Sequence, residues 1–413
     1  MRSNIFFLVI SFLVLFGSAN GYTESIRGVT DTTIKIGLIA GITGPGASVT
    51  AILGEVARDY TRYINEKGGI HGRKVISFIE DDRYSIPMGI AAFKKLIFKD
   101  EVFALSGPYT TPSIKALLGQ LEKYKIPNVA ALPQPSMITP LRRYMFVTGE
   151  FYDDDFGVIF EHIMNKLKPK NMKIGFVTYD GESGKEVHDS VKKWAQFFNY
   201  KHAIHKEIIQ LGALEASSQV MSIKRKGITH VLIHHMVANT ALFLRELRKF
   251  RMKIPVFADL LSCSEDTIKL AGEASKNFIS AIGFSSWYDD TPGMKIVREI
   301  ALKYHPGTDK PWRSKYYTAG WIVMTLFHEG ITRTGRNLTP DSFVQALESI
   351  KNFDTKGLCG PITFSRTDHK GVNSCKLFKA DPSSGKLVPI TDWRNPPKYS
   401  DEKVKLSIKS QDR

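Results

Sequence analysis

The sequence predicts an α/β protein built on two successive parallel sheets, and three observations carry the prediction. Short β-branched runs alternate with amphipathic stretches of several helical turns from about residue 34 onward, a pattern that makes right-handed βαβ units around a parallel sheet. The same alternation restarts after Gly149, so a second sheet follows the first. At 413 residues the chain is long enough for two domains of ordinary size.

Taken in order, the first set opens with a strand over 34–40, apolar apart from Lys35 and Gly37. A helix over 51–66 follows and closes at Gly68 and Gly69, where a left-handed cap calls for glycine. Strand 75–80, helix 87–99, strand 102–106, helix 112–123 and strand 128–132 complete the set. The second set begins with a helix over 154–167, whose leading Asp153, Asp154 and Asp155 suit the positive end of a helix dipole. Strand 173–178, helix 185–199, strand 203–209, helix 216–226, strand 229–234, helix 240–250 and strand 255–259 follow. From about Gly283 the character changes to a long helix over 316–334, a polar break at Gly335, Arg336 and Asn337, a short helix over 340–351, and a hairpin. Centring that hairpin at Thr367, beside the turn residues Asp368, His369 and Gly371, sets Cys359 opposite Cys375. Cross-strand neighbours are close enough for a disulfide, so a bridge is expected there, with Cys263 left as a buried free thiol.

With 43% hydrophobic and 24% charged residues, the composition excludes a disordered or fibrous chain. Three cysteines exclude a disulfide scaffold, an iron–sulfur cluster and an all-cysteine zinc site. The N-terminus places Arg2 before an apolar run over 5–16 broken only by Ser11, then the small residues Gly17, Ser18 and Ala19. That order is a secretory signal over 1–19, too short to span a bilayer and without a cysteine at its cleavage site for a lipid anchor. The mature chain is expected to be soluble and exported to a bacterial periplasm. The net charge of +16 is spread over helices in ones and twos, as at Lys94 and Lys95, and the densest run is Lys224, Arg225 and Lys226. Without interleaved aromatics this is a solvated basic surface, and no nucleic-acid partner is expected.

Motifs for chemistry fail one by one. The glycine turn at Gly41, Gly44 and Gly46 follows the first strand, but its spacing is G-x-x-G-x-G and Pro45 removes a donor. The following acidic cluster, Glu80, Asp81 and Asp82, begins 34 residues beyond Gly46, where a dinucleotide site calls for roughly 20. Residues 181–185, Gly-Glu-Ser-Gly-Lys, come nearest to a nucleophile elbow but carry Lys185 in place of the second glycine. His234 and His235 are adjacent on a strand and point to opposite faces, a poor metal pair. No acid, base and nucleophile converge, so the chain reads as a binding protein without cofactor or metal, not an enzyme.

Several stretches together resemble the type I periplasmic substrate-binding proteins of ABC transporters, most closely the branched-chain amino acid (leucine/isoleucine/valine) binding family. They are 34–37 leading into Gly44 and Pro45, the Ile-Asn-x-x-Gly-Gly-Ile-x-Gly stretch over 64–72, Asp81 and Asp82, Gly107 and Pro108, the helix ending at Glu329 and Gly330, and Gly-Pro-Ile-Thr-Phe over 360–364. The resemblance spans about 31–380 and implies the type I periplasmic-binding-protein fold, two Rossmann-like lobes joined by crossovers near 149, 283 and 356. Lobe 1 would hold 31–149 and 283–355, lobe 2 would hold 150–282 and 356–395, and a basic tail would run over 396–413. It further implies a monomer whose lobes close over a small ligand and hand it to the membrane permease of an ABC importer. A ligand sensor of the same fold and an exported α/β enzyme are the alternatives.

The resemblance also implies site residues. Tyr109, Thr110 and Thr111 match the hydroxyl-bearing segment that grips a ligand carboxylate, and the helix starting near Pro112 favours an anion independently. Leu132 and Gln134 match a second loop at the carboxylate end. Lobe 2 departs from the family. Ser183 precedes Gly184 where amino-acid binders place an aromatic, Met236 replaces the aromatic of the next exit loop, and Leu260 stands where an acid holds the ligand ammonium. Asp259, beside it, takes over that role if the alignment shifts by one. An apolar residue cannot balance a buried ammonium. The expected ligand keeps a carboxylate or amide and lacks the α-amino group. Val49, Leu132, Met236, Leu260 and Tyr316 or Tyr317 would form its apolar wall.

Overall fold

The computed structural model describes residues 25–308 and 312–398; the leader assigned to 1–19 and the tail from 399 on lie outside them. Strand β1 (Thr33–Ala40) is buried at every position from 36 to 40, as both faces of a parallel sheet must be when helices cover them. Helix α1 (Ala47–Glu66) follows, burying Val49, Ile52, Leu53, Val56, Tyr60 and Ile64 at helical spacing. It starts at Ala47, ahead of the expected residue 51. β2 (Lys74–Asp81), α2 (Ile86–Phe98), β3 (Ala104–Ser106), α3 (Thr111–Lys123), β4 (Asn128–Ala130), the single turn α4 (Pro135–Ile138) and β5 (Met145–Val147) complete a parallel sheet in the order β2-β1-β3-β4-β5.

The chain then enters the second lobe through α5 (Tyr152–Glu161), continued by a π-helical turn over His162–Leu167. β6 (Ile174–Thr178), α6 (Glu182–Phe197), β7 (His205–Ile208), α7 (Ser217–Arg225), β8 (His230–His234), α8 (Val237–Lys249), β9 (Val256–Ala258), α9 (Glu265–Ala271) and β10 (Phe278–Ile282) repeat the design. Their strands lie in the order β10-β9-β8-β6-β7, all parallel. Both sheets therefore reverse direction beside their first strand, between β1 and β3 in one and between β6 and β8 in the other. Sequence periodicity overlooks β10 because Ser280 interrupts its apolar run. That hydroxyl is buried and reaches the Asp259 carbonyl at 3.1 Å.

After β10 the chain returns to lobe 1. There α10 (Pro292–Tyr304) and α11 (Lys315–Thr334) pack on α1, and α12 (Pro340–Glu348) packs on α11. The segment beyond α12 stays beside lobe 1. Its backbone pairs with Val147 through His369 and Gly371, and the Phe364 and Phe146 rings meet edge to face at 5.2 Å. The crossing into lobe 2 falls between Gly371 and β11 (Lys376–Asp381), whereas the sequence reading put it near 356. β11 and β12 (Lys386–Pro389) extend the second sheet antiparallel from β10.

The hairpin turns where expected, with Ser365 bridged to Asp368, but the expected disulfide does not form. The arm before the turn folds back so that Phe353 pairs with Ile362, which pulls Cys359 against Phe284, while Cys375 pairs with Arg394. Both are buried free thiols, as is Cys263; burial pushes the Cys359 and Cys263 thiols up to about 12, which makes them poor nucleophiles. Thiol titration of the unfolded, never-reduced chain is expected to count all three cysteines. A count of one would restore the bridge.

Candidate functional site

Both switch points face each other across a cavity between the lobes, at the carboxyl ends of the strands. Gly46, Val49 and Thr50 reach it from the start of α1, Tyr84 from the loop after β2, Tyr109 and Thr111 from the loop into α3, and Leu132 from the loop after β4. Lobe 2 adds Tyr152 from the first turn of α5, Tyr179 and Ser183 around the start of α6, Met236 before α8, and Leu261 after β9. The space between atoms is about 340 Å³, and little of it is wide enough to admit a water. That is room for about one water, so the lobes are shut on the cavity. A groove on the outer face of lobe 2, by contrast, is built from that lobe alone.

The chain goes to some length to shape these walls. Leu132 has a φ of +56°, an unfavourable region for a branched residue, at the bend that leads the chain from β4 to Gln134. Asp81 gathers the glycine turn after β1 by accepting from the backbone of Ile42 at 2.9 Å and from the Thr43 hydroxyl at 2.6 Å. This is the work of that turn, which explains its mismatch to a phosphate cradle. Burial holds the Tyr84 and Tyr152 hydroxyls well above their usual range and pushes Tyr109 up to about 12, so all three stay protonated.

Among the described residues, no acidic or basic side chain lies on the cavity wall. What the wall presents is polar and uncharged: hydroxyls, and the first turns of four long helices, α1, α3, α6 and α8. Thr110 caps α3 through Ser113 at 3.2 Å, whereas α1, α6 and α8 have no side-chain cap. First-turn N–H groups have no partner within their own helix and carry the positive end of its dipole.

A chain of hydrogen bonds runs beside the cavity from one lobe into the other. Thr111 donates to Gln134 Oε1 at 3.2 Å, and Gln134 Nε2 donates across the cleft to Ser183 Oγ. Ser183 Oγ lies 2.8 Å from His234 Nε2, and His234 Nδ1 meets Asp259 Oδ2. Asp259 Oδ1 accepts from the Ser262 amide at 3.2 Å and its hydroxyl at 2.9 Å. The order Ser–His–Asp is that of a hydrolase relay, but Gln134 sits on the serine oxygen that would have to attack. Nearby, Ser136 donates to Glu186 at 2.9 Å, and Lys115 pairs with Glu182 at 3.3 Å, so lobe 1 grips the first turns of α6 at several points. His235 points the other way, donating to the Ile209 carbonyl at 2.8 Å, and burial lowers it to about 4, so it stays neutral.

Of the residues the sequence singled out, the structure puts Val49, Tyr109, Thr111, Leu132, Ser183 and Met236 on the wall. Gln134 and Thr110 stand just behind it. Leu260 does not reach it: its N–H donates to Asp155 at 3.0 Å and its carbonyl accepts from Tyr316 at 3.0 Å, while Leu261 lines the cavity instead. Asp259 is held behind His234, Tyr316 supports the 260–261 backbone, and Tyr317 turns away to Asp59 at 2.8 Å. Tyr84, Tyr152 and Tyr179 were not foreseen. The rule that ligands gather at strand ends could have flagged Tyr179, the residue after β6.

Three comparisons place this geometry. The family model described as "Periplasmic binding protein" matches residues 33–386. Leu/Ile/Val-binding protein BraC3 of Rhizobium johnstonii is 37% identical over 364 residues, covering 86% of this chain and 93% of the relative. A branched chain amino acid ABC transporter protein from Thermus thermophilus, solved with bound valine, superposes with a TM-score of 0.80 at 21% identity over 92% of this chain and 99% of its own. The fatty acid ABC transporter substrate-binding protein from Thermomonospora curvata reaches the same TM-score at 21% identity, covering 91% and 95%. At such identities the solved structures speak for the fold alone.

Proposed function

The chain belongs to the periplasmic binding protein family, and from that premise we propose that it captures a small carboxylate- or amide-bearing ligand between its lobes and delivers it to an ABC importer in the periplasm. Its relatives and structural neighbours are binding proteins of transporters, not enzymes. The observation that carries the ligand class is the uncharged wall. A ligand ammonium enclosed there would meet no carboxylate, and an unpaired buried charge costs several kcal/mol. A carboxylate or amide oxygen would instead face first-turn N–H groups and tyrosine hydroxyls, which favour it. Val49, Leu132, Met236 and Leu261 supply apolar contact for the rest of a small ligand.

A thermal-shift screen of refolded mature protein tests this reading, with amino acids beside matched acids lacking the amino group and matched amides. A ligand at about 100 times its dissociation constant stabilises by roughly 2.7 kcal/mol, a readily measured shift. Shifts with acids or amides and none with leucine or valine are expected. A shift confined to leucine or valine would overturn the uncharged-wall argument and assign the ammonium to the Asp259 side of the cavity.

A further inference from the structure

We infer that Ser183 meets the ligand only as a hydrogen-bond acceptor, so that the ligand carries an uncharged donor, an amide N–H or a hydroxyl, on the side facing lobe 2. The inference rests on the interlobe cavity being the ligand site and adds the polarity of one end of it.

The argument starts at Asp259, which is wholly buried. One carboxylate oxygen takes both donors of Ser262, at 3.2 and 2.9 Å, and the other meets His234 Nδ1. A carboxylate only accepts, so Nδ1 supplies the hydrogen. In a neutral imidazole that leaves Nε2 bare, and its neighbour at 2.8 Å is Ser183 Oγ. The one proton of Ser183 is thereby committed to His234. The lobe 1 side agrees. Gln134 Nε2, which can only donate, sits on Ser183 Oγ, and Gln134 Oε1 takes the proton of Thr111 at 3.2 Å. Every bond points one way, from Thr111 to Asp259, and every member is at least nine-tenths buried, so water does not scramble the order.

Thr111 and Ser183 both line the cavity, and both have spent their protons elsewhere. What they offer inward is lone pairs. A carboxylate oxygen placed against Ser183 would put two acceptors together. A primary amide N–H or a hydroxyl would take the lone pair of Ser183 that Gln134 leaves free, competing there with the Tyr179 hydroxyl. This also redefines Asp259. It does not bind the ligand; it positions His234 and, through it, the proton of Ser183.

Two measurements on the full mature chain test the inference. The first is nitrogen NMR of His234, which needs no ligand: a hydrogen on Nδ1 and a bare Nε2 are expected. A hydrogen on Nε2 would overturn the inference. The second is calorimetric titration with isovaleramide and isovalerate. The wild type is expected to favour the amide about tenfold, the scale of one good hydrogen bond, and Ser183→Ala to lose that preference. Asp259→Asn turns an amide donor toward Nδ1, which moves the imidazole hydrogen to Nε2 and frees the Ser183 proton for the ligand. Its preference is expected to shift toward isovalerate. Binding with an amide-to-acid ratio unchanged in both variants would overturn the polarity and leave the site standing. Binding undisturbed by a Met236→Lys change would overturn the site itself, and the inference with it.

Discussion

Replacing Gly283 with alanine is expected to destabilise the protein by about 2–6 kcal/mol. A Cβ at this position lies 1.6 Å from Oε2 of Glu150 and 2.1 Å from its Cδ. Glu150 has nowhere to go. It is wholly buried, and its other oxygen accepts the Gly283 N–H. Swinging the carboxyl aside breaks that bond inside the core, at about 1–3 kcal/mol, and overpacking adds a comparable 1–3 kcal/mol. The two residues sit where the chain first leaves lobe 1 and where it first returns, so the clash falls on the hinge. Because one pair of groups causes the loss, a double-mutant cycle isolates it. Glu150→Ala removes the obstructing carboxyl, and in that background Gly283→Ala should cost about 1 kcal/mol or less. Urea denaturation of the four proteins gives the coupling directly. Additive losses would show that the methyl group is accommodated and that the cost arises elsewhere.

How far the sequence could be read depends on how local each feature is. β1, α1 and α11 announce themselves through runs of apolar residues at one period, and the alternation of such runs is enough for two parallel sheets. The glycine pair at 68 and 69 is legible too, since both adopt positive φ, +96° and +76°, that other residues avoid. Failure begins where a segment's partner is distant in sequence. Cys359 and Cys375 are placed symmetrically about a correctly read turn, yet Phe284 and Arg394 claim their backbones, and neither competitor is visible in the local pattern. The cavity divides the same way. Thr111 and Ser183 sit in the first turns of helices that follow strands and could be named. Asp259 could be noticed as an acid near the site, but its work depends on the side chain of His234 from a different strand. Leu261 displaces Leu260 because Asp155, Lys315 and Tyr316 hold the Leu260 backbone from behind. No ungapped reading of one strand contains that information.

Stability should fall as pH rises from about 6.5 to 8, with Glu150 as the cause. Burial pushes its carboxyl up to about 8, opposed by the nearby Lys315 ammonium and reinforced by Asp154. Asp155, raised by burial and by Glu150 itself, shares the strain of charge in the same pocket. In the unfolded chain a glutamate releases its proton near 4.3. Folding therefore takes up a proton, and the stability this group contributes is complete below about 4.3 and is lost as pH climbs through 8. His235 acts with the opposite sign. Burial lowers it to about 4, so its contribution is present above the unfolded value near 6.5 and is lost as pH falls toward 4. Between about 4.5 and 6.5 the two slopes, each about 1.4 kcal/mol per pH unit, oppose and cancel. Above 6.5 the histidine contribution fades and no longer opposes the Glu150 slope. Glu150→Gln keeps an oxygen to accept the Gly283 N–H and removes the charge. Urea midpoints at pH 6 and pH 8 should show the wild type losing about 2 kcal/mol that the variant keeps. If the two proteins instead lose stability in parallel, Glu150 is already ionised in the fold and the decline belongs to other groups.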